Sequence, residues 1–500
     1  MENKLAQLKA ILAEVADLDY ASSLLGWDQQ CYMPSGGAEG RGYQQATLNK
    51  LAHIRFTSDE VGQLLEDLQP YAAQLDPDCD DARLIAVTAR RYRKRTKLPP
   101  EMVAEFAQLT SAAHEVWVRA RKANDFAAFQ PWLEKIVDWR QRYANLYQPY
   151  DHIYDPLLDD FEPGLKTADV KAIFDALRPQ QVALIKAIAQ RPQVDNTFLY
   201  QHFDEQKQWD FGVEVITKFG YDWNRGRQDK APHPFTTNFG VGDVRITTRV
   251  DANYLGTALF GTMHECGHAL YEQGVAPELD RSPLAGGTSL AVHESQSRMW
   301  ENLVGRSFEF WQHFYPRLQE FFPAQLGNVS LQTFYKGINC VRPSLIRVEA
   351  DEATYNLHIM LRLELEIALI EGSLAVKDLP EAWNARMQEY LGLTPPNDAQ
   401  GVLQDVHWSG GMLGYFSTYA LGNLISAQLW ERILADIPDL PEQIRRGEFA
   451  ALLGWLREKI HRHGAKFEPQ ELVQRITGSK IDPTAYMRYL QGKYTQIYNL

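Results

Sequence analysis

Cysteine is scarce in this chain, with only Cys31, Cys79, Cys266 and Cys340 in 500 residues. None stands in a C-x-x-C pair or at a regular spacing, which argues against a disulfide framework and fits a reducing cytoplasm. Ser/Gly-rich linkers, repeats and low-complexity tracts are missing as well, so nothing in the composition divides the chain. Positive charge is in deficit: 51 basic against 64 acidic residues, a formal net charge of −13. That balance disfavours nucleic acid and anionic membranes as partners. The run Arg90-Arg91-Tyr92-Arg93-Lys94-Arg95-Thr96-Lys97 is the exception. At the end of a predicted helix it favours the local dipole and reads as a solvated C-terminal turn. Only Trp408–Trp430 is uncharged over a length near the roughly 20 residues that span a bilayer. Its Ser409, Gly410, Gly411, Gly414, Ser417, Thr418, Gly422, Asn423, Ser426 and Gln428 make it too polar for lipid. It is expected as a buried helix or part of an active-site wall. Met1-Glu2-Asn3-Lys4-Leu5 leads into an acid-bearing amphipathic segment, so no secretory signal is expected.

What is present is mostly helical patterning. Amphipathic stretches run over Glu2–Leu25, Ala82–Lys97, Pro100–Lys122, Phe126–Tyr147, Ala168–Gln190, Ala353–Glu371 and Leu440–His463. One region alternates with a period of two: Val244–Val250 sets Val, Ile, Thr and Val against Arg, Thr and Arg. His233–Phe239 reads as its hairpin partner, with Gly240, Gly242 and Asp243 supplying the turn. The expected fold is therefore mainly α, a two-lobed helical unit with a deep groove and a small β-hairpin. A chain of this length buries a large core. Residues 1–500 are read as one unit, with an N-terminal helical cap at about 1–110 and a core at about 230–430.

The chemistry enters at His264-Glu265-Cys266-Gly267-His268. Two histidines four apart lie on one helix face and both reach one metal ion. Zinc there would acidify a water and polarise a carbonyl, with Glu265 placed to carry the proton. Asn253–Tyr271 reads as the helix, started by Asp251 or Asn253 and ended by a left-handed cap at Gly274. Cys266 faces away from the two histidines and is read as packing. A third ligand is still required. No histidine follows at the metzincin spacing, which leaves Glu272, Glu278, Asp280, Glu294 and Glu301. Glu272 lies a further turn along the same face and is a poor fit. A second helix is predicted over Thr288–Val304, after Gly286-Gly287, and its Glu294 is the preferred ligand. Glu301 is the reserve, or a partner supporting a ligand from behind.

The chain resembles the thermostable carboxypeptidase Taq family of zinc metallocarboxypeptidases over nearly its whole length. The motifs that carry the resemblance are His233-Pro234-Phe235, Asp243-Val244-Arg245-Ile246-Thr247, the HECGH segment and His293-Glu294-Ser295-Gln296. Ile346-Arg347-Val348-Glu349-Ala350-Asp351 and Gly401 to Trp408 follow, and Trp27-Asp28-Gln29 with Met33-Pro34 precede them. The resemblance implies His264, His268 and Glu294 as metal ligands, Glu265 as general base, and a homodimer. It also marks Arg347 as the clamp for a terminal carboxylate, since a guanidinium fork grips both oxygens. Arg298 and Arg342 are its rivals.

His407 is the best candidate to hydrogen-bond a developing oxyanion, and Tyr415 and Tyr419 could donate to the same oxygen. His233 and Arg245 are placed with the substrate, although Arg245 is also a natural partner for Asp243. Asp351 and Asp405 are assigned to orienting the imidazoles. An exposed hairpin edge beside the metal helix would pair with an extended peptide. The expected activity is removal of single residues from peptides with a free C-terminus, with broad specificity, Zn2+ as cofactor and Co2+ as a substitute. A zinc oligopeptidase cutting internally, or a metal-containing peptide-binding scaffold, are the alternatives.

Overall fold

The computed structural model describes residues 1–500. Helices dominate, beginning with Glu2–Cys31, Ala38–Phe56, Asp59–Ala72, Asp80–Lys97, Pro100–Ala123 and Phe126–Asn145. Two hydrophobic clusters form. The larger holds 104 buried residues and is built from the chain beyond Ala113. The smaller, of 17, joins Leu5, Leu8, Leu12, Val61, Leu68 and Ile85 to Val275, Leu279 and Leu284. No helix is long and apolar enough to cross a membrane.

The only sheet has three short strands: β1 (Gln228–Lys230), β2 (Thr236–Asn238) and β3 (Val244–Thr248). β3 is central, parallel to β1 and antiparallel to β2, with Ile246 opposite both Gln228 and Thr236. The expected hairpin is therefore present but shorter at both ends. β1 had no strand signal, because Gln-Asp-Lys carries none of the β-branched or aromatic residues that mark strands.

Several expected boundaries move. The metal helix spans Gly256–Gly274, and neither Asp251 nor Asn253 caps it. Gly274 is its last residue and is not left-handed; a Cβ there would sit 2.5 Å from that of His461, so close approach is what demands glycine. The second helix starts with Ser289, whose Oγ accepts the Val292 N–H, and runs Leu290–Arg298 before opening into a π-helical stretch, Met299–Val304. Such wide turns cluster at functional sites. Leu440–His463 is not one helix: Leu440–Arg445 and Ala450–Lys459 are separated by Gly447 at φ 73°. The uncharged stretch after Trp408 becomes a buried helix, Ser417–Asp436.

Candidate active site

Three helices meet where side chains are too small to keep them apart. A Cβ on Gly267 would fall 2.6 Å from the Ser297 Cα, and one on Gly422 would fall 2.7 Å from the Glu294 Cβ. This close packing brings the metal helix, the Leu290–Arg298 helix and the Ser417–Asp436 helix around one point. There the Glu294 Oε2 lies 3.7 Å from His264 Nε2 and 3.5 Å from His268 Nε2. The three ligand atoms are within 4.8 Å of one another, and two imidazoles with a carboxylate suit a divalent metal. Glu294 is anchored by Arg298 Nε at 2.7 Å. The start of its helix is held by the buried Glu162, which accepts the Ala291 N–H at 2.6 Å. Burial pushes that carboxyl up to about 8.

The two histidines are backed differently. His264 Nδ1 lies 2.9 Å from Glu301 Oε2. Burial raises the Glu301 carboxyl, but Arg298, His264 and Arg306 outweigh it and hold it at about 2. His264 therefore donates Nδ1–H to a carboxylate. His268 Nδ1 instead meets His293 Nδ1 at 2.6 Å, and His293 Nε2 meets Glu272 Oε1 at 2.6 Å. Glu272 also accepts from Asn238 Nδ2 and the Gly287 N–H. Serving three donors, Glu272 takes a proton-bearing Nε2 from His293, whose Nδ1 then accepts from His268. With Nδ1 engaged from behind, Nε2 of both histidines faces Glu294 as the nitrogen available to a metal.

Glu265 is 6 % exposed and faces the sheet, where Thr236 Oγ1 donates to its Oε2 at 2.7 Å. Burial raises its pKa above that of an ordinary glutamate, against the pull of His264 and Thr236.

A second polar assembly lies on the His264 side. Arg347 donates Nε and Nη2 to Asp405 Oδ1 (3.0 and 2.8 Å) and Nη1 to the Tyr355 hydroxyl (2.9 Å). Arg362, fully buried, takes the other Asp405 oxygen with Nε at 2.7 Å. Burial opposes ionisation of Asp405, but the two guanidinium groups hold it far below the usual carboxylate range. His407 Nε2 lies 3.5 Å from the Tyr419 hydroxyl, and its ring packs on Tyr415 with centroids 5.2 Å apart. Burial, with Arg347 and Arg362 nearby, outweighs Asp405 and lowers His407 to about 4. Tyr415 is raised, chiefly by burial, and the Glu294 charge adds to the shift, so this group lies within electrostatic reach of the metal ligands. The turn carrying His407 is clamped by buried Glu366, which accepts from Trp408 Nε1 (2.7 Å), the Gly414 N–H (2.8 Å) and the Tyr154 hydroxyl.

Known proteins now bear on this geometry. The family model of the carboxypeptidase Taq (M32) metallopeptidases matches residues 7–494. The chain belongs to this family. It is a metallocarboxypeptidase, a hydrolase acting on peptide bonds. A thermostable carboxypeptidase 1 of Thermus thermophilus is 41 % identical over 497 residues, covering 97 % of each chain. Carboxypeptidase 1 of Bacillus subtilis is 38 % identical, with 98 % of each chain covered. The crystal structure of an M32 carboxypeptidase from Deinococcus radiodurans superposes with a TM-score of 0.97 at 41 % identity over 100 % of both chains.

Some residues of this metallocarboxypeptidase depart from their sequence reading, whereas Arg245 beside Asp243 and Glu301 behind His264 keep to one of theirs. Asp351 and Asp405 orient no imidazole at the metal group: Asp351 caps the helix Glu352–Glu371, and Asp405 neutralises two arginines. Arg245 closes its fork on Asp243 at 2.8 and 2.7 Å, with its guanidinium 4.3 Å from the Trp27 ring centroid. His233 is exposed, just ahead of β2. Glu272 supports a ligand at one remove, and Glu301 backs His264. The basic run is not simply solvated: Arg90 and Lys94 pair with Asp159, and Lys94 reaches Asp160 at 2.6 Å. His293, Thr236 and Glu366 had no assigned roles. The first stands inside a recognisable motif, while the other two are separated from their partners by 29 residues or more.

Proposed function

We propose that the chain is a zinc enzyme that removes single residues of many kinds from the free C-terminus of peptides. The observation that carries this reading is the convergence of His264 Nε2, His268 Nε2 and Glu294 Oε2 beside a buried, Thr236-held Glu265. Bound there, zinc supplies a Lewis acid and an acidified water; Co2+ is a workable substitute. Glu265 takes the proton of the attacking water and passes it to the leaving amine. His407, with Tyr419 or Tyr415, donates to the oxygen of the carbonyl under attack. Arg347 has five N–H groups and uses three, so two are left to hold the terminal carboxylate beside Tyr355. His233 and Arg245 line the substrate's path along β2. In this reading the helices of about 1–110 cap the groove beside a core at about 230–430, and the enzyme is a cytoplasmic homodimer.

The test uses mass spectrometry of an N-blocked peptide and its C-terminally amidated twin. Stepwise loss of residues from the free acid alone is expected. Internal cuts in both peptides would replace this reading with an oligopeptidase, and intact peptides would leave a binding scaffold. Glu265→Gln should keep its metal and lose about 100-fold or more in kcat; near-normal turnover would remove Glu265 from its role.

A further inference from the structure

The basic run of the helix Asp80–Lys97 divides between two faces. Arg90 and Lys94 are spent on Asp159 and Asp160. Arg91 and Arg95, also one turn apart, instead line a solvent-open cavity between the first helix and the far end of the metal helix. Neither guanidinium has a hydrogen-bond or ion-pair partner in the chain; Arg95 only overlies the Phe56 ring, 4.8 Å from its centroid. Two acids share the cavity wall, Asp19 and Glu272. Glu272 is already engaged by His293, Asn238 and Gly287. Asp19 feels Arg95 electrostatically but makes no ion pair with it. Both side chains are exposed to solvent within this concavity. Positive charge without an internal partner, held in a concavity, is the pattern of an anion site.

The cavity is tied to the reaction centre by two of its own walls. Asn238 ends β2, the strand whose Thr236 holds Glu265, and Glu272 backs His293 and so His268. Arg347 lies toward the other ligand: its partner Tyr355 stacks under Arg298, which bonds the Glu301 that backs His264. A peptide with its carboxylate at Arg347 and its backbone antiparallel to β2 would run upstream toward Asn238. Asn238 belongs both to the end of β2 and to the cavity wall, so a chain paired along this strand is led to the cavity mouth. We propose that Arg91 and Arg95 form a subsite for an acidic side chain upstream of the bond that is cut. A carboxylate there fills a guanidinium fork that the chain itself leaves open. This inference rests on the C-terminal trimming reading.

The test is a Glu/Gln scan of the positions upstream of that bond in N-blocked peptides with one constant C-terminal residue, using the zinc-loaded full-length protein. At one position, Glu should be favoured over Gln by about tenfold in kcat/KM. In Arg91→Gln/Arg95→Gln the ratio should fall to near one. Arg91→Glu should reverse the choice toward Lys at that position, a gain that misfolding would not produce. Equal rates for Glu and Gln everywhere, or a preference that survives the double substitution, would overturn the subsite while leaving C-terminal trimming intact. No trimming of any peptide would overturn the trimming reading and this inference together.

Discussion

Two pairs of arginines flank the metal helix, and they are built in opposite ways. Arg347 and Arg362 share one buried carboxylate, Asp405, and fill further N–H groups with Tyr355 and Gln404. Arg91 and Arg95 face an open cavity and pair with neither acid on its wall, Asp19 or Glu272. A guanidinium with its fork filled becomes scaffolding, which fixes its neighbours and offers only the donors left over. One with an empty fork is available to whatever enters. The same residue type thus does two jobs, and the partner, more than the arginine, decides which.

Removing the shared partner should have the largest effect. Asp405→Ala strands two guanidinium groups in buried surroundings and should cost about 3–5 kcal/mol; an unchanged urea midpoint would erase the contrast. Acid should act on the same wall. His407 is lowered to about 4, so between pH 6.5 and 4 the unfolded chain binds a proton that the folded one refuses. Its stabilising share is complete above pH 6.5 and is lost as pH falls through this window, by up to about 3 kcal/mol. Comparing stability against pH for the wild type and His407→Gln would isolate that slope; parallel curves would refute it.

A smaller loss, about 2 kcal/mol, should follow Glu366→Gln, whose amide cannot accept from Trp408, Gly414 and Tyr154 together. It should lower kcat more than it raises KM, because the His407 turn loosens; an effect on KM alone would contradict that. Smallest of all, Arg91→Gln should move the melting free energy by no more than about 0.5 kcal/mol, since no internal bond is lost. A loss as large as that of Asp405→Ala would mean that Arg91 is scaffolding too.

The legible parts of this site were those set by local spacing. His264, Glu265 and His268 are one helical turn, and Glu294 follows a Gly-Gly break with a capping serine, so chain-local geometry nearly suffices. Asp405 was misread because its partner Arg347 is 58 residues away, and a carboxylate near a histidine in sequence says nothing of which cation reaches it first. The basic run was misread for the same reason, since Asp159 and Asp160 belong to a distant turn. β1 escaped notice because β3 recruits it, and Leu440–His463 looked continuous because its apolar spacing survives the break at Gly447.

The smaller hydrophobic cluster has a mechanical consequence. Its N-terminal helices have no core wholly their own; they close it with Val275, Leu279 and Leu284, the chain that leaves the metal helix. Tyr20 and Asp17 add polar ties to Asp280 and Arg281 in that same segment. A tilt of these helices is therefore felt, through the core they share, at Val275, seven positions beyond His268. The lever is remote in sequence, but the segment it bears on runs unbroken into the helix that carries both histidines.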